Sequence, residues 1–163
     1  MYARRAVTKG PTDQIEAAAL PKVREFPGYR GGYWLVDRET GEGVTIGFYD
    51  TKENLDASRA IVTQLRDSAV QSLGGQVLAV DEFEVTADTG QKVHRSASHA
   101  RVTEFSGNPA DFDRSVRILI DSVIPAARSL PGFVGGFWLG DRDTGKGLAV
   151  TLFDSAESIA ATS

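Results

Sequence analysis

Two tryptophans beside glycine pairs are the side chains with the clearest capacity to hold a ligand. Trp34 lies just after Gly31-Gly32, and Trp138 lies just after Gly135-Gly136. An indole next to residues without side chains can form the wall of an aromatic ligand pocket. Packing explains the same residues, because a buried sheet face also uses large aromatic side chains. The tryptophans therefore predict either a ligand wall or a packed core.

Two phenols and an arginine close to Trp34 extend this candidate site. Tyr33 and Tyr49 could donate a hydrogen bond to a substrate oxygen or act as a base, and simple packing is the alternative. Arg30 could meet an anionic ligand or be solvated. The candidate catalytic residues are thus Tyr33 and Tyr49, and the candidate ligand-binding residues are Trp34, Arg30 and Trp138.

Residue types that bind metals or cofactors are scarce in this sequence. There is no cysteine, which excludes disulfides, thiolate metal sites and cysteine nucleophiles. The two histidines, His94 and His99, have no histidine or carboxylate at a spacing typical of a metal site. We therefore expect neither a metal nor another cofactor.

The glycine pairs themselves do not predict a phosphate cradle. Such a loop follows a strand and opens a helix, whereas Gly31-Gly32 and Gly135-Gly136 follow a predicted helix and enter a predicted strand. A β-bulge or a close approach of neighbouring backbone explains these glycines better.

Composition limits the classes of partner. The 163 residues carry a net charge of −4 and no run of basic residues, which argues against nucleic acid. No stretch approaches the roughly 20 apolar residues of a membrane span, and no apolar signal segment follows the N-terminus. These features predict a cytoplasmic protein without a membrane partner.

An internal repeat organises the chain. Residues 27–58 and 131–162 align without a gap, with about fourteen of thirty-two positions identical, where chance would give one or two. The predicted domains are a first repeat over 1–88, a linker over 89–98 and a second repeat over 99–163. The second repeat ends about one turn into its second helix, so we expect a shortened C-terminus.

The positions that differ between the copies carry functional information. Arg30, Tyr33 and Tyr49 of the first copy correspond to Val134, Phe137 and Phe153 of the second. Any chemistry that needs these polar groups is therefore confined to the first half.

Periodicity predicts the order β-α-β-β-α-β in the first copy. Asp50 and Asp154 begin an Asp-x-x-Glu pattern, which predicts a helix N-cap with a carboxylate at the third helical position. The predicted elements of the first copy are a strand over Tyr2–Lys9, a helix over Thr12–Phe26 that bends or starts late because of Pro21, a hairpin over Tyr29–Val36 and Gly43–Tyr49, a helix closed by Gly74-Gly75, and a strand over Gln76–Thr86.

This order is that of the ferredoxin-like α+β fold, in which two helices cover one face of an antiparallel sheet. The other face needs a cover, and a second sheet can supply it. We therefore predict tandem ferredoxin-like repeats whose sheets pack face to face as an α+β barrel. The barrel would be an intrachain pseudo-dimer or a homodimer, with the second repeat incomplete.

The residues PGYRGGYW and PGFVGGFW, followed by a turn and a strand that ends in aromatic-Asp-Ser/Thr, resemble the dimeric α+β barrel superfamily. Antibiotic-biosynthesis-monooxygenase-like domains are the most similar members. The resemblance implies the barrel fold, and members of such families include cofactor-independent quinol-type oxygenases and haem-degrading enzymes.

The haem-degrading branch differs from this sequence at each of its signature positions. That branch has an Asn on the first strand, a Trp near the end of the third and a His on the second helix. Here the first strand has no Asn, Tyr49 or Phe153 replaces the Trp, and the helix over 55–73 has no His. These departures argue against haem degradation by that mechanism, and leave open a histidine in the missing helix of the second copy.

Two functions are consistent with the sequence. The first is a cofactor-independent monooxygenase that acts on a small aromatic or quinol-type substrate. The alternative is a non-catalytic barrel that binds a small hydrophobic ligand or serves only in assembly.

Overall fold

The computed structural model of the chain describes residues 1–89 and 97–163. Most of the predicted linker over 89–98, including His94, lies outside the described residues. The chain divides into two compact units, unit 1 over Met1–Glu82 and unit 2 over Phe83–Ser163. The domain boundaries given above stay a prediction.

Unit 1 has the predicted α+β order of elements. The elements are β1 (Tyr2–Lys9), α1 (Thr12–Val23), β2 (Tyr29–Val36), β3 (Glu42–Tyr49), α2 (Lys52–Ser72) and β4 (Gln76–Asp88), whose C-terminal part belongs to unit 2. The strands lie in the order β2-β3-β1-β4, with β1 antiparallel to β3 and β3 antiparallel to β2. This order is that of the ferredoxin-like fold.

A β-bulge near the start of β2 decides which side chains share a face of this sheet. The register shifts between Tyr29 and Gly31, so Tyr29 pairs with Tyr49 while Trp34 pairs with Thr45. Gly31 has a φ of +108°, and a Cβ on Gly32 would lie 2.5 Å from the Ile46 carbonyl oxygen. The predicted bulge and close backbone approach at the first glycine pair are both confirmed.

The two helices of unit 1 differ from prediction at their ends. Helix α1 starts at Thr12, continues through Pro21 and ends at Val23, three residues before the predicted end at Phe26. The predicted cap at Asp50 is wrong, because the Thr51 side chain is the N-cap and accepts from the Asn54 N–H at 3.1 Å. The physical reason is that the Asp50 N–H still bonds the Gly28 carbonyl, at 2.9 Å, so the helix begins one residue later.

The further elements of unit 2 are β5 (His99–Ser106), a 3₁₀ turn (Pro109–Asp111), α3 (Phe112–Ile118), a π-helical segment (Leu119–Val123), α4 (Ile124–Arg128), β6 (Phe133–Gly140), β7 (Lys146–Phe153) and α5 (Ala156–Ala161). The strands of this unit lie in the order β4-β6-β7-β5, and their described pairings are antiparallel. The predicted cap at Asp154 is wrong for the same reason as that at Asp50, because Ser155 caps α5 and the Asp154 N–H bonds the Gly132 carbonyl at 3.0 Å.

The core of unit 2 includes Trp138, which is 3% exposed and clusters with Ile124 and Ala127 of α4. In unit 1 the buried residues of α1 are Ile15, Ala19 and Val23, which contribute to the core beneath the helices. Within the described ranges, no helix has the length and apolar character needed to cross a membrane.

Candidate functional site

Unit 1 contains a cavity of about 60 Å³ between its two helices and the helix-facing side of its sheet. Alternate residues of β1 and β3 point toward it, because Arg4 pairs with Gly47 and Ala6 with Thr45 in the antiparallel register. The lining residues are Arg4, Ala6, Thr8, Ile15, Ala19, Val23, Tyr29, Trp34, Thr45, Ile46, Gly47, Tyr49, Val62 and Arg66. We refer to this space as the helix-side cavity.

Aromatic side chains form one part of the cavity wall. The rings of Tyr29 and Tyr49 meet edge to face, with centroids 5.7 Å apart and planes at 72°. Tyr49 is 1% exposed, whereas Trp34 is only partly buried. An edge-to-face pair beside an indole offers ring faces and edges on which a flat aromatic molecule can pack.

Arg4 crosses from the sheet to α2 and fixes the cavity at one end. Its guanidinium donates to the Ser58 hydroxyl at 3.0 Å, to the Leu55 carbonyl at 2.8 Å and to Glu82 at 2.9 and 3.0 Å. It also lies 5.5 Å from the centroid of the Tyr49 ring. These contacts hold a buried charge in place by satisfying its donors, as a charge removed from water requires.

Glu82 is the carboxylate that balances this arginine. Burial raises its pKa, but hydrogen bonds from Arg59 and Arg4 outweigh burial and hold the pKa below its ordinary value. Arg59 donates to both carboxylate oxygens, at 3.0 and 2.6 Å. Glu82 is therefore ionised at neutral pH and neutralises Arg4.

The phenol of Tyr29 is a donor in this cavity. Burial raises the pKa of Tyr29 above its ordinary value of 10.0, and the neighbouring Tyr49 raises it further. The phenol is therefore protonated at neutral pH and suited to donate a hydrogen bond rather than to remove a proton. No carboxylate or histidine is among the described residues that line the cavity.

Two of the five predicted site residues meet in the helix-side cavity, Trp34 and Tyr49. Tyr33 lies on the opposite face of the sheet, since it pairs with Ile46, and its ring centroid is 6.1 Å from that of Phe48. Arg30 is exposed on the surface, with its Nη2 3.4 Å from the Asp50 carboxylate. The structure thus separates the two candidate phenols.

The fifth predicted residue, Trp138, lies in unit 2. There it is part of the core cluster and also lines a larger, mostly apolar cavity of about 420 Å³. This second cavity lies beside α3 and the π-helical segment, and Phe112, Leu119 and Ala149 are among its lining residues.

The histidines contribute no described metal site. His99 Nδ1 lies 2.8 Å from the Ser98 hydroxyl. Over 1–89 and 97–163, no group of three or more histidine, aspartate and glutamate side chains could hold a metal ion.

Sequence reasoning missed most of the cavity lining, including the polar residues Arg4, Thr8, Tyr29 and Arg66. A signal for the first was present, because placing Tyr2–Lys9 over His99–Ser106 aligns Arg4 with Arg101. Both arginines make equivalent contacts to a helix, since Arg101 donates to the Ile159 carbonyl at 2.7 Å and to the Thr162 hydroxyl at 2.9 Å, the positions that align with Leu55 and Ser58. Extending the repeat into the first strand would have found the pair.

Comparison with known proteins places this architecture among relatives. The chain is 30% identical over 168 residues to the uncharacterized protein Rv2557 of Mycobacterium tuberculosis (strain ATCC 25618 / H37Rv), in an alignment that covers 98% of the chain and 74% of that protein. No protein-family model matches the chain.

Solved structures share the fold at low identity. A candidate monooxygenase from Fusobacterium nucleatum superposes with a TM-score of 0.65 at 12% identity, covering 98% of this chain and 78% of that one. A ferredoxin-fold protein from Listeria monocytogenes, described as related to antibiotic biosynthesis monooxygenases, gives 0.55 at 9% identity and covers 97% and 75%. The predicted ferredoxin-like α+β fold is therefore confirmed.

Proposed function

The chain belongs to the family of the Mycobacterium tuberculosis protein Rv2557, and we propose that it binds a small aromatic molecule in the helix-side cavity of unit 1. The observation that carries this proposal is the aromatic wall of Trp34, Tyr29 and Tyr49 around a cavity lined mainly by apolar side chains. A concave, mostly apolar space with a few polar groups is the usual form of a small-molecule site.

The cavity has the size of a single ring. A volume of about 60 Å³ holds about four to six water-sized groups, at roughly 10–15 Å³ for each. The six atoms of one aromatic ring reach the upper end of this range, so the substituents of a one-ring ligand extend beyond the cavity or displace side chains. The partly exposed Trp34 is the wall residue most suited to report binding.

Tryptophan fluorescence tests the proposal, because the chain has two tryptophans and each can be removed singly. In Trp138→Phe only Trp34 emits, and in Trp34→Phe only Trp138 emits. We expect a one-ring phenol to change the emission of Trp138→Phe saturably and to leave that of Trp34→Phe unchanged. A flat titration in both variants, across a panel of phenols and quinols, would reject ligand binding and leave the assembly role.

A cofactor-independent monooxygenase is the second candidate function, and it is supported by fold neighbours described as monooxygenases. In such a reaction a methylene group of an electron-rich aromatic substrate reacts with O₂. One oxygen atom becomes the new carbonyl, the other leaves as water, and the substrate carbon supplies all the electrons. No external reductant is then needed.

The step that this site must assist is loss of a proton from the substrate. Of the two predicted phenol bases, only Tyr49 lines the cavity, and Tyr29 beside it has a raised pKa. The lining arginines, Arg4 and Arg66, favour a deprotonated substrate through their charge. The contribution we assign to the protein is therefore stabilisation of a substrate anion and orientation of its ring.

Oxygen uptake separates the two functions. Quinols and anthrone-like phenols that bind in the fluorescence assay should consume O₂ faster with the protein than without it. Binding without uptake would reject the monooxygenase and retain the ligand-binding function.

A further inference from the structure

Two buried polar atoms in the helix-side cavity have no hydrogen-bond partner among the described residues. They are the Thr8 hydroxyl oxygen and Arg66 Nη1, and both residues line the cavity. Thr8 is 1% exposed, so bulk water does not reach its hydroxyl. Leaving such a group unsatisfied costs about 1–3 kcal/mol, and more when the group is charged. The two groups therefore indicate a position for a ligand atom that accepts hydrogen bonds.

Arg66 has a donor to spare because its hydrogen-bond partner among residues 1–89 and 97–163, Asp67, is not part of the cavity lining. Its Nε donates to Asp67 at 3.1 Å, and the Asp67 side chain is 55% exposed. Solvent screens such a pair strongly. Nη1 is on the buried side of the guanidinium and keeps both its charge and its hydrogens for another group.

The topology of unit 1 brings Thr8 and Arg66 to the same level of the cavity. Helix α2 begins after Tyr49, which pairs with Tyr2 at the start of β1, and Gly75 just beyond the helix lies against Gly10 just beyond the strand. The helix therefore runs in the same direction as β1.

The hydrogen bond from Arg4 to Ser58 fixes the relative position of these two elements. Thr8 lies about 13 Å further along β1 from Arg4, at roughly 3.3 Å per residue. Arg66 lies about 12 Å further along α2 from Ser58, at roughly 1.5 Å per residue. Thr8 on the strand and Arg66 on the helix consequently lie at a similar level along unit 1.

The charge of the lining has one sign. Its charged residues are Arg4 and Arg66, and the lining includes no Asp or Glu from the described residues. Glu82 neutralises Arg4 directly, with 2.9 Å between them, whereas the described ion pair of Arg66 is with the exposed Asp67. Arg66 also lines a second cavity with Arg4, Arg59, Thr63, Val80 and Glu82, a lining that contains three arginines and one carboxylate. A positive charge therefore lies where a ligand from solvent can reach it.

We propose that the ligand of unit 1 is a small aromatic anion, a single ring bearing a carboxylate, whose oxygens accept hydrogen bonds from Arg66 Nη1 and the Thr8 hydroxyl. The inference rests on the proposed binding function and adds the chemical class of the ligand. The ring packs against Trp34 and Tyr29, and the carboxylate occupies the end of the cavity between β1 and α2. A charge-assisted hydrogen bond of this kind discriminates strongly against a neutral ligand of the same shape.

Calorimetric titration with benzoate and its neutral isostere benzamide tests this assignment. We expect wild-type protein to bind benzoate at least about tenfold more tightly than benzamide, because one charge-assisted hydrogen bond changes affinity by about that factor. Arg66→Gln should weaken benzoate about tenfold to a hundredfold and change benzamide by less than about threefold. Thr8→Val should weaken benzoate about threefold to tenfold.

Arg38→Gln is the matched control, because Arg38 is an exposed arginine of the hairpin turn and does not line the cavity. It should leave both affinities unchanged, and circular dichroism should show that every variant is folded. Equal binding of benzoate and benzamide, or an unchanged benzoate affinity in folded Arg66→Gln, would overturn the anion assignment and leave the aromatic site intact. Failure of both probes to bind would overturn the aromatic site as well.

Discussion

Unit 1 and unit 2 repeat one arrangement of side chains but surround it with different chemistry. In each, an arginine on the first strand lies over an aromatic ring, Arg4 at 5.5 Å from Tyr49 and Arg101 at 5.6 Å from Phe153. Each arginine also donates to a carbonyl of the helix that follows the hairpin, Leu55 of α2 in unit 1 and Ile159 of α5 in unit 2. This shared part positions a helix on a sheet, which is a structural task.

The two units differ in the side chains that surround these arginines. In unit 1 Thr8 pairs with Gly43. Gly147 is the equivalent of Gly43 in unit 2, and it pairs with Phe105. The edge-to-face pair of Tyr29 with Tyr49 corresponds to Phe133 with Phe153, at 6.1 Å and 83°. Unit 1 thus retains hydroxyls where unit 2 has only rings. A repeated fold can therefore hold buried hydroxyls in one copy and only aromatic rings at the same positions in the other.

The two tryptophans provide the largest test of this difference. Trp138→Ala should lower the free energy of unfolding by about 3–5 kcal/mol, because Trp138 is buried in a core cluster. Trp34→Ala should cost roughly 1–2 kcal/mol, since the indole is partly exposed. Urea denaturation followed by circular dichroism measures both losses. Equal losses would show that Trp34 is a core residue rather than a cavity wall.

The paired arginines provide the next largest effect. Arg4→Met should destabilise the protein by about 2–4 kcal/mol, because Arg4 is 5% exposed and its loss removes two hydrogen bonds from Glu82. Arg101→Met should cost about 1 kcal/mol, since Arg101 donates to a carbonyl and to hydroxyls. The same denaturation experiment compares the two variants. A larger loss for Arg101→Met would contradict the idea that the carboxylate makes the difference.

The smallest effect is in the pH dependence of stability, which Glu82 confers on unit 1. Its pKa is lowered in the folded protein, so its stabilising contribution is present above the ordinary pKa of 4.5 and is lost as the pH falls through the folded value. In Glu82→Gln, the free energy of unfolding should fall by about 1 kcal/mol less than in the wild type between roughly pH 6 and pH 3. Denaturation midpoints at several pH values measure it.

Glu39→Gln is a suitable control for the pH experiment, since Glu39 is exposed in the hairpin turn. It should leave the pH profile of the wild type unchanged. If Glu82→Gln behaves in the same way as this control, the carboxylate between Arg4 and Arg59 does not stabilise unit 1.

Much of the fold of unit 1 could be predicted from sequence because its signals are local. Alternation over β2 and β3, the Gly74-Gly75 helix stop and the bulge at Gly31 each depend on residues close in the chain. The helix cap was misplaced by one residue because the Asp50 N–H bonds Gly28, a partner that the local pattern does not show. Local signals therefore predicted the elements better than their ends.

The candidate site was predicted only in part. Sequence alone determined the aromatic and glycine content of the hairpin and the polar differences between its two copies, since both are readable from aligned positions. Tertiary structure decided which of these residues meet. The bulge turns Tyr29 to the same face as Trp34 and leaves Tyr33 on the other, which simple alternation does not anticipate.

The cavity's charged groups depend even more on tertiary structure. Arg4 and Glu82 are 78 positions apart in the chain, and Arg66 reaches the level of Thr8 only because α2 runs alongside β1. Residues so distant in sequence carry no shared periodicity, so no pattern marks them as a group. The chain by itself specified a doubled α+β unit rich in aromatic residues, and the packing of helix on sheet decided which polar atoms line one buried space.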